Sequence, residues 1–146
     1  MKLSENTVSV LKNFSTINQN LMIKEGSVLQ TMSTMKNIVA SAKVSEVFEK
    51  EVPIYNLDEF LAALSLFDNP ELDFKDKFVT MGNEGSRKSL KYWYSAPEVV
   101  TKVSKEITMP PCEVNFNFSD KELSDITKAA AVIGVPDMVL ENGSLR

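Results

Sequence analysis

The chain has 146 residues, 43% of them hydrophobic and 25% charged, which is enough for one ordinary domain or for a small domain and part of another. Its formal net charge of -4 argues against binding nucleic acid by bulk attraction, and no apolar run reaches the ~20 residues that span a membrane. Because histidine is absent, an enzyme is not expected, and neither is a metal or cofactor.

The first predicted element is a helix from Ser4 to Asn18. Ser4 is suited to cap its first turn, and the negative charge of Glu5 suits the positive end of the helix dipole. The apolar residues recur at helical spacing on one face: Val10, Leu11, Phe14 and Ile17. The opposite face carries small polar side chains and one lysine, Lys12. We therefore predict that one side of this helix packs on a sheet and that the other faces a partner.

Short strands and a second helix should follow. We predict a hairpin over 21–32 with its turn at Glu25-Gly26, then strands over 37–44 and 47–55. Asn56 is suited to cap a helix over 57–67, whose apolar residues share one face. Strands over 72–81 and 90–94 come next, and alternation on the second predicts that Trp93 packs in the core with its neighbouring tyrosines on the other side.

A proline-rich stretch then interrupts the regular elements. Pro97, Pro110 and Pro111 limit strand pairing there. We therefore divide the chain into a first domain, 1–97, an interdomain connector, 98–111, and the start of a second domain, 112–146.

The second domain should repeat the pairing of strands with a helix. We predict a strand over 113–118, a helix to about residue 135 opened by a capping box of Ser119 and Glu122, and a strand over 137–141 leading into an Asn142-Gly143 turn. Too little chain follows to cover this helix, so we expect a truncated second domain. The predicted fold class is α+β, with helices packed on antiparallel sheets.

Three stretches also carry a specific resemblance. The residues are Met1-Lys-Leu-Ser, Thr7, Leu11-Lys-Asn-Phe and Ile17-Asn18, then Ile54-Tyr55, Leu57, Phe60-Leu61 and Leu64-Ser65-Leu66, and finally Tyr92-Trp93 followed by Ala96-Pro97. In identity and spacing they resemble the DNA sliding clamps of T-even-type bacteriophages, the polymerase processivity factors. The resemblance covers the first two-thirds of the chain, and the remainder matches more weakly.

That resemblance implies a DNA-clamp fold and a ring, usually of three two-domain subunits, that encircles double-stranded DNA without reading its sequence. Helices line the hole, a clamp loader opens and closes the ring, and the DNA polymerase binds one of its faces. No membrane is involved. The compartment implied is the cytoplasm of the infected bacterial host, and the single cysteine, Cys112, fits a reducing environment.

Three lysines are candidates for contact with DNA phosphates. Lys12 lies opposite the apolar stripe of the first helix, and Lys121 and Lys128 share the outer face of the last helix. Each is also open to a simpler interpretation as a solvated surface lysine. Glu5 shares the face of Lys12, where the family tends to be basic, and the second helix carries no basic residue, so any attraction to DNA should be weak.

Two other functions stay open on the residues alone. One is a clamp-like adaptor that binds only proteins, its helices having lost their basic residues; the other is a small enzyme, which the absence of histidine disfavours. For the clamp, we expect this chain to sediment as a monomer or weak dimer, and a trimer to form only from a longer version.

Overall fold

The computed structural model describes residues 1–105, 107–141 and 143–145. The chain forms two compact units, Met1–Glu106 and Ile107–Arg146, which we call unit 1 and unit 2. In the described ranges no helix is both long and apolar enough to cross a bilayer.

Helix α1 spans Glu5–Ile17, and its sequence explains both ends. The Ser4 hydroxyl accepts a hydrogen bond from the Thr7 N–H at 3.2 Å, and the N–H of Asn18 donates to the Phe14 carbonyl. Leu11 and Phe14 are buried, whereas Lys12 is exposed. The predicted amphipathic helix and its serine cap are confirmed.

The described part of unit 1 also contains seven strands, and all their pairings are antiparallel. Strand β1, Leu21–Ile23, pairs with β4, Val52–Ile54; β2, Gly26–Met32, pairs with β3, Val39–Phe48; and β5, Glu71–Phe74, β6, Phe78–Gly82, and β7, Ser89–Trp93, form a three-stranded sheet in that order.

The predicted hairpin over 21–32 is therefore wrong, since β1 and β2 are not paired. Every residue of β1 is buried, and so is every residue of β4, whereas β2 alternates between its two faces. Strand β1 is covered on both faces, and it pairs with β4, which is covered on both faces as well.

Two strand boundaries also differ from prediction. The strands predicted over 37–44 and 47–55 are instead one long strand, β3, and the short β4, because the exposed residues 49–51 interrupt the pattern. The strand predicted over 72–81 is a hairpin of β5 and β6. Its turn holds the charged residues Lys75, Asp76 and Lys77, which a buried strand would not accommodate.

Helix α2 spans Leu57–Ser65, and Asn56 caps it as predicted by accepting from the Glu59 N–H at 3.2 Å. The buried faces of both helices share one core with the strands. Its most buried members are Leu11, Leu21, Ile23, Leu29, Ile54, Leu57, Phe60, Leu72, Val79 and Met81. Helices packed on antiparallel sheets confirm the α+β class.

Strand β7 alternates as predicted but with its faces reversed. Trp93 is 62% exposed, and Tyr92 packs inward with its ring 5.4 Å from that of Phe60. The Tyr92 hydroxyl donates to the Asn56 carbonyl at 3.2 Å, so the polar end of this inward-facing ring has a partner. Outside, Trp93 lies 5.0 Å from the Phe78 ring. The prediction of a core tryptophan is wrong.

Unit 2 contains helix α3, Asp120–Ile133, and a short hairpin of β8, Leu140–Glu141, and β9, Ser144–Leu145. The capping box of Ser119 and Glu122 is present as predicted. The strand predicted over 113–118 does not form, because the described part of this unit offers it no pairing partner. Asn142 of the predicted turn lies outside the described residues.

Two tyrosines on the inner face of the sheet allow a matched test of this packing. Within the described residues the buried Tyr94 hydroxyl has no hydrogen-bond partner, and burial raises its pKa to about 12. Tyr94→Phe should therefore leave the free energy of unfolding unchanged or raise it, whereas Tyr92→Phe should lower it by about 1 kcal/mol. Urea unfolding of both variants measures this, and an equal loss in the two would contradict it.

Candidate nucleic-acid interface

The outward faces of α1 and α2 form one exposed surface on unit 1, which we call the two-helix surface. It consists of Glu5, Ser9, Lys12 and Thr16 from α1 and Asp58, Glu59, Ala62 and Ser65 from α2, all of them exposed. A groove of about 680 Å³ runs between the first half of α1 and the end of α2, with Lys12 among its lining residues. The buried faces of the same helices belong to the core, so the sheets determine where this surface lies.

A buried carboxylate fixes the start of α1 on the sheet. Glu46 points inward from β3 and is 8% exposed. It accepts hydrogen bonds from the Ser4 N–H and the Thr7 hydroxyl, and from the Ser45 hydroxyl at 3.2 Å. The N-cap and first turn of α1 are therefore tied to the middle of unit 1.

The protonation of Glu46 follows from these contacts. Burial alone raises the pKa of a carboxyl, but the hydrogen bonds from Thr7 and Ser4 outweigh that effect and lower the pKa to about 2. Glu46 is thus ionised at neutral pH, and its charge is balanced by the donors at the helix start.

The sequence prediction missed this residue. The signal was present, because Glu46 occupies an inward position between Val44 and Phe48 on an alternating strand. A carboxylate at such a position needs donors, and Ser4 and Thr7 were available on the neighbouring helix.

The charges of the two-helix surface are mostly negative. Lys12 is the one positive charge among the eight residues of this surface, and it stands against three carboxylates, those of Glu5 on α1 and of Asp58 and Glu59 on α2. Among the described residues Lys12 forms no ion pair, so its ammonium group is free for a ligand. The surface offers a single cationic group for contact with a polyanion.

The other two predicted lysines belong to unit 2. Lys121 and Lys128 are exposed on α3, and so is Asp125 between them. Neither lysine forms an ion pair with another residue in the described ranges. The structure places each of them in solvent.

Two helices that pack on antiparallel sheets and expose their polar faces match the architecture expected of a clamp domain. The family model for the DNA polymerase processivity factor matches residues 2–103, and the chain belongs to this family. This confirms the resemblance found in the sequence, and the family is one of non-enzymatic polymerase accessory proteins.

Individual relatives agree with the family match. The chain is 36% identical over 141 residues to the sliding clamp of Vibrio phage KVP40, covering 94% of this chain and 63% of that protein. It is 30% identical over 136 residues to the sliding clamp of Enterobacteria phage T4, covering 89% and 57%, and 26% identical over 148 residues to that of Escherichia phage RB69, covering 97% and 62%. The chain therefore spans about six-tenths of the length of these relatives.

The anchoring role of Glu46 predicts a characteristic dependence on pH. The folded pKa is about 2 and the ordinary value 4.5, so the ionised carboxylate stabilises the fold by roughly 3 kcal/mol above pH 4.5. That stabilisation is lost as pH falls from about 4.5 to about 2. Glu46→Gln should be less stable at neutral pH, and its deficit should shrink over this range in urea titrations.

Glu49→Gln is the matched control, because Glu49 lies just beyond the same strand and is exposed. It should change the free energy of unfolding by less than about 0.5 kcal/mol. A deficit for Glu46→Gln that stays constant from pH 7 to pH 2 would contradict the anchoring role.

Proposed function

We propose that the chain serves as a DNA sliding-clamp subunit, which encircles double-stranded DNA and tethers the replicative DNA polymerase during phage replication. The observation that carries this proposal is the family match over residues 2–103, which coincides with the unit that presents the two-helix surface. In this proposal that surface faces the duplex, and the strands form the outer wall.

Three lysines are proposed to contact phosphates on the inside of the ring. They are Lys12 in unit 1 and Lys121 and Lys128 in unit 2, all exposed on helices. Because each lies near carboxylates, the net attraction is small and does not depend on base sequence. Such a surface permits sliding, since no contact is strong enough to hold the ring at one position.

The weak attraction implies that the ring is retained on DNA by its topology. We propose a homotrimer of the full-length protein, opened and closed by a clamp loader and acting in the cytoplasm of the infected host. Residues 1–97 then supply the first clamp domain, 98–111 the connector, and 112–146 the start of the second domain.

A second candidate function is a protein-binding adaptor with the same fold. The excess of carboxylates over lysines on the two-helix surface favours it, because a surface with that charge repels phosphates unless the DNA is confined. The two functions differ in whether the protein remains on closed circular DNA.

Retention on a plasmid distinguishes the two. The full-length protein is incubated with a nicked circular plasmid, ATP and the clamp loader of the same phage, then passed through a sizing column. A clamp should elute with the circle and should be released when a restriction enzyme linearises the DNA. Equal elution with circular and linear plasmid, or with neither, would contradict encirclement.

The role of Lys12 predicts an effect on how salt weakens DNA contact. Lys12→Glu should lower the affinity for duplex DNA several-fold, and it should reduce the slope of log affinity against log salt by about 1 per subunit. Lys43→Glu, which reverses an exposed charge on the outer face of β3, is the matched control and should change neither. An equal effect of the two substitutions would remove Lys12 from the interface.

A further inference from the structure

The segment that follows β7 packs on the rest of unit 1, several residues beyond the end of the sheet. A 3-10 helix, Pro97–Val99, is followed by residues 100–103, which we call the strap. Val100 is 5% exposed and Val103 is 9% exposed, whereas Ser104 and Lys105 are both exposed. Residues 100–103 of the predicted connector thus pack on the rest of unit 1.

A buried amide at the end of α1 joins the strap to two other segments. Asn18 is 4% exposed, and its Nδ2 donates to the Met32 carbonyl at 2.7 Å and to the Thr101 hydroxyl at 3.3 Å. Its Oδ1 accepts from the Asn20 N–H at 3.0 Å. All the polar atoms of this amide are therefore engaged, as a buried amide requires.

Two further side chains hold the backbone of the strap. The Oδ1 of Asn20 accepts from the Thr101 N–H at 2.8 Å, and the ammonium of Lys24 donates to the Val103 carbonyl at 2.6 Å. The second bond is charge-assisted and belongs to the stronger class of hydrogen bonds. Asn20 and Lys24 both lie in the short stretch between α1 and β2.

We propose that Asn18, Asn20 and Lys24 form a clasp that locks the strap to unit 1 and sets the point at which the connector leaves it. The hydrogen bonds run from side chains to the backbone and the Thr101 hydroxyl of the strap, and neither Val100 nor Val103 belongs to the core cluster, so the strap can detach while the core remains intact. Detachment adds residues 100–103 to the free connector, which is up to about 14 Å of extended chain.

The functional consequence rests on the proposed function. In a ring of two-domain subunits, the free length of the connector limits how far the two domains of one subunit can move relative to each other. A closed clasp keeps that length short, and an open clasp lengthens it without unfolding either domain.

Amide hydrogen exchange of the full chain, followed residue by residue by NMR, tests the clasp without DNA or polymerase. The Thr101 amide should exchange at least about 100-fold more slowly than that of Lys105. Asn20→Ala removes the acceptor of the Thr101 N–H and should raise the exchange rate of that amide at least tenfold, while the amides of α2 stay protected.

Asn83→Ala is the matched control, because Asn83 makes a comparable bond, from its amide to the Asp68 carbonyl at 2.6 Å, elsewhere in unit 1. It should leave the Thr101 amide unchanged. If Asn20→Ala unfolds, Lys24→Met keeps the aliphatic stem and should still raise Thr101 exchange several-fold. Equal exchange at Thr101 and Lys105 in the unaltered chain, or unchanged protection in the clasp variants, would overturn the clasp. Loss of plasmid retention alone would bear only on the proposed function.

Discussion

The position of α1 depends on the ionised Glu46 that β3 turns inward. Burying a carboxylate is costly unless donors surround it, and here the donors are the cap and first turn of the helix that must be positioned. Burial of Leu11 and Phe14 determines which face of α1 meets the sheet, but hydrophobic contact is not directional and leaves some freedom in the position and tilt of the helix. A hydrogen-bonded charge at one end and the buried Asn18 at the other remove that freedom, so the outer face of the helix is fixed in direction.

Local patterns sufficed for the elements that form from neighbouring residues. The helices α1, α2 and α3 and their caps at Ser4, Asn56 and Ser119 follow from side chains within one turn of each other. Strand pairing was harder to predict, because β1 pairs with a strand about thirty residues away and not with the strand that follows it. That choice depends on burial of both faces of β1, and a three-residue run does not reveal such burial.

The two-helix surface was predicted in outline, whereas the polar contacts that hold its helices in place were not. The exposure of Lys12 follows from helical periodicity, and the poverty of basic residues on both helices is evident from the sequence. Glu46 and the clasp residues escaped prediction because each acts through partners far along the chain, such as Thr101 for Asn20. Polar contacts between distant residues produce no periodic pattern in the sequence. For the same reason Trp93 was assigned to the wrong face: alternation defines two faces, and it does not say which one is inside.

The chain has one tryptophan, and it lies on the outside of the sheet beside Phe78 with most of its surface in solvent. Indole emission depends on the polarity around the ring, so the tryptophan emission of this protein should change little when only its interior loosens. It responds instead to whatever covers the outer side of β7. The protein thus carries a built-in optical reporter of contacts on that side, which needs no dye and leaves every core residue untouched.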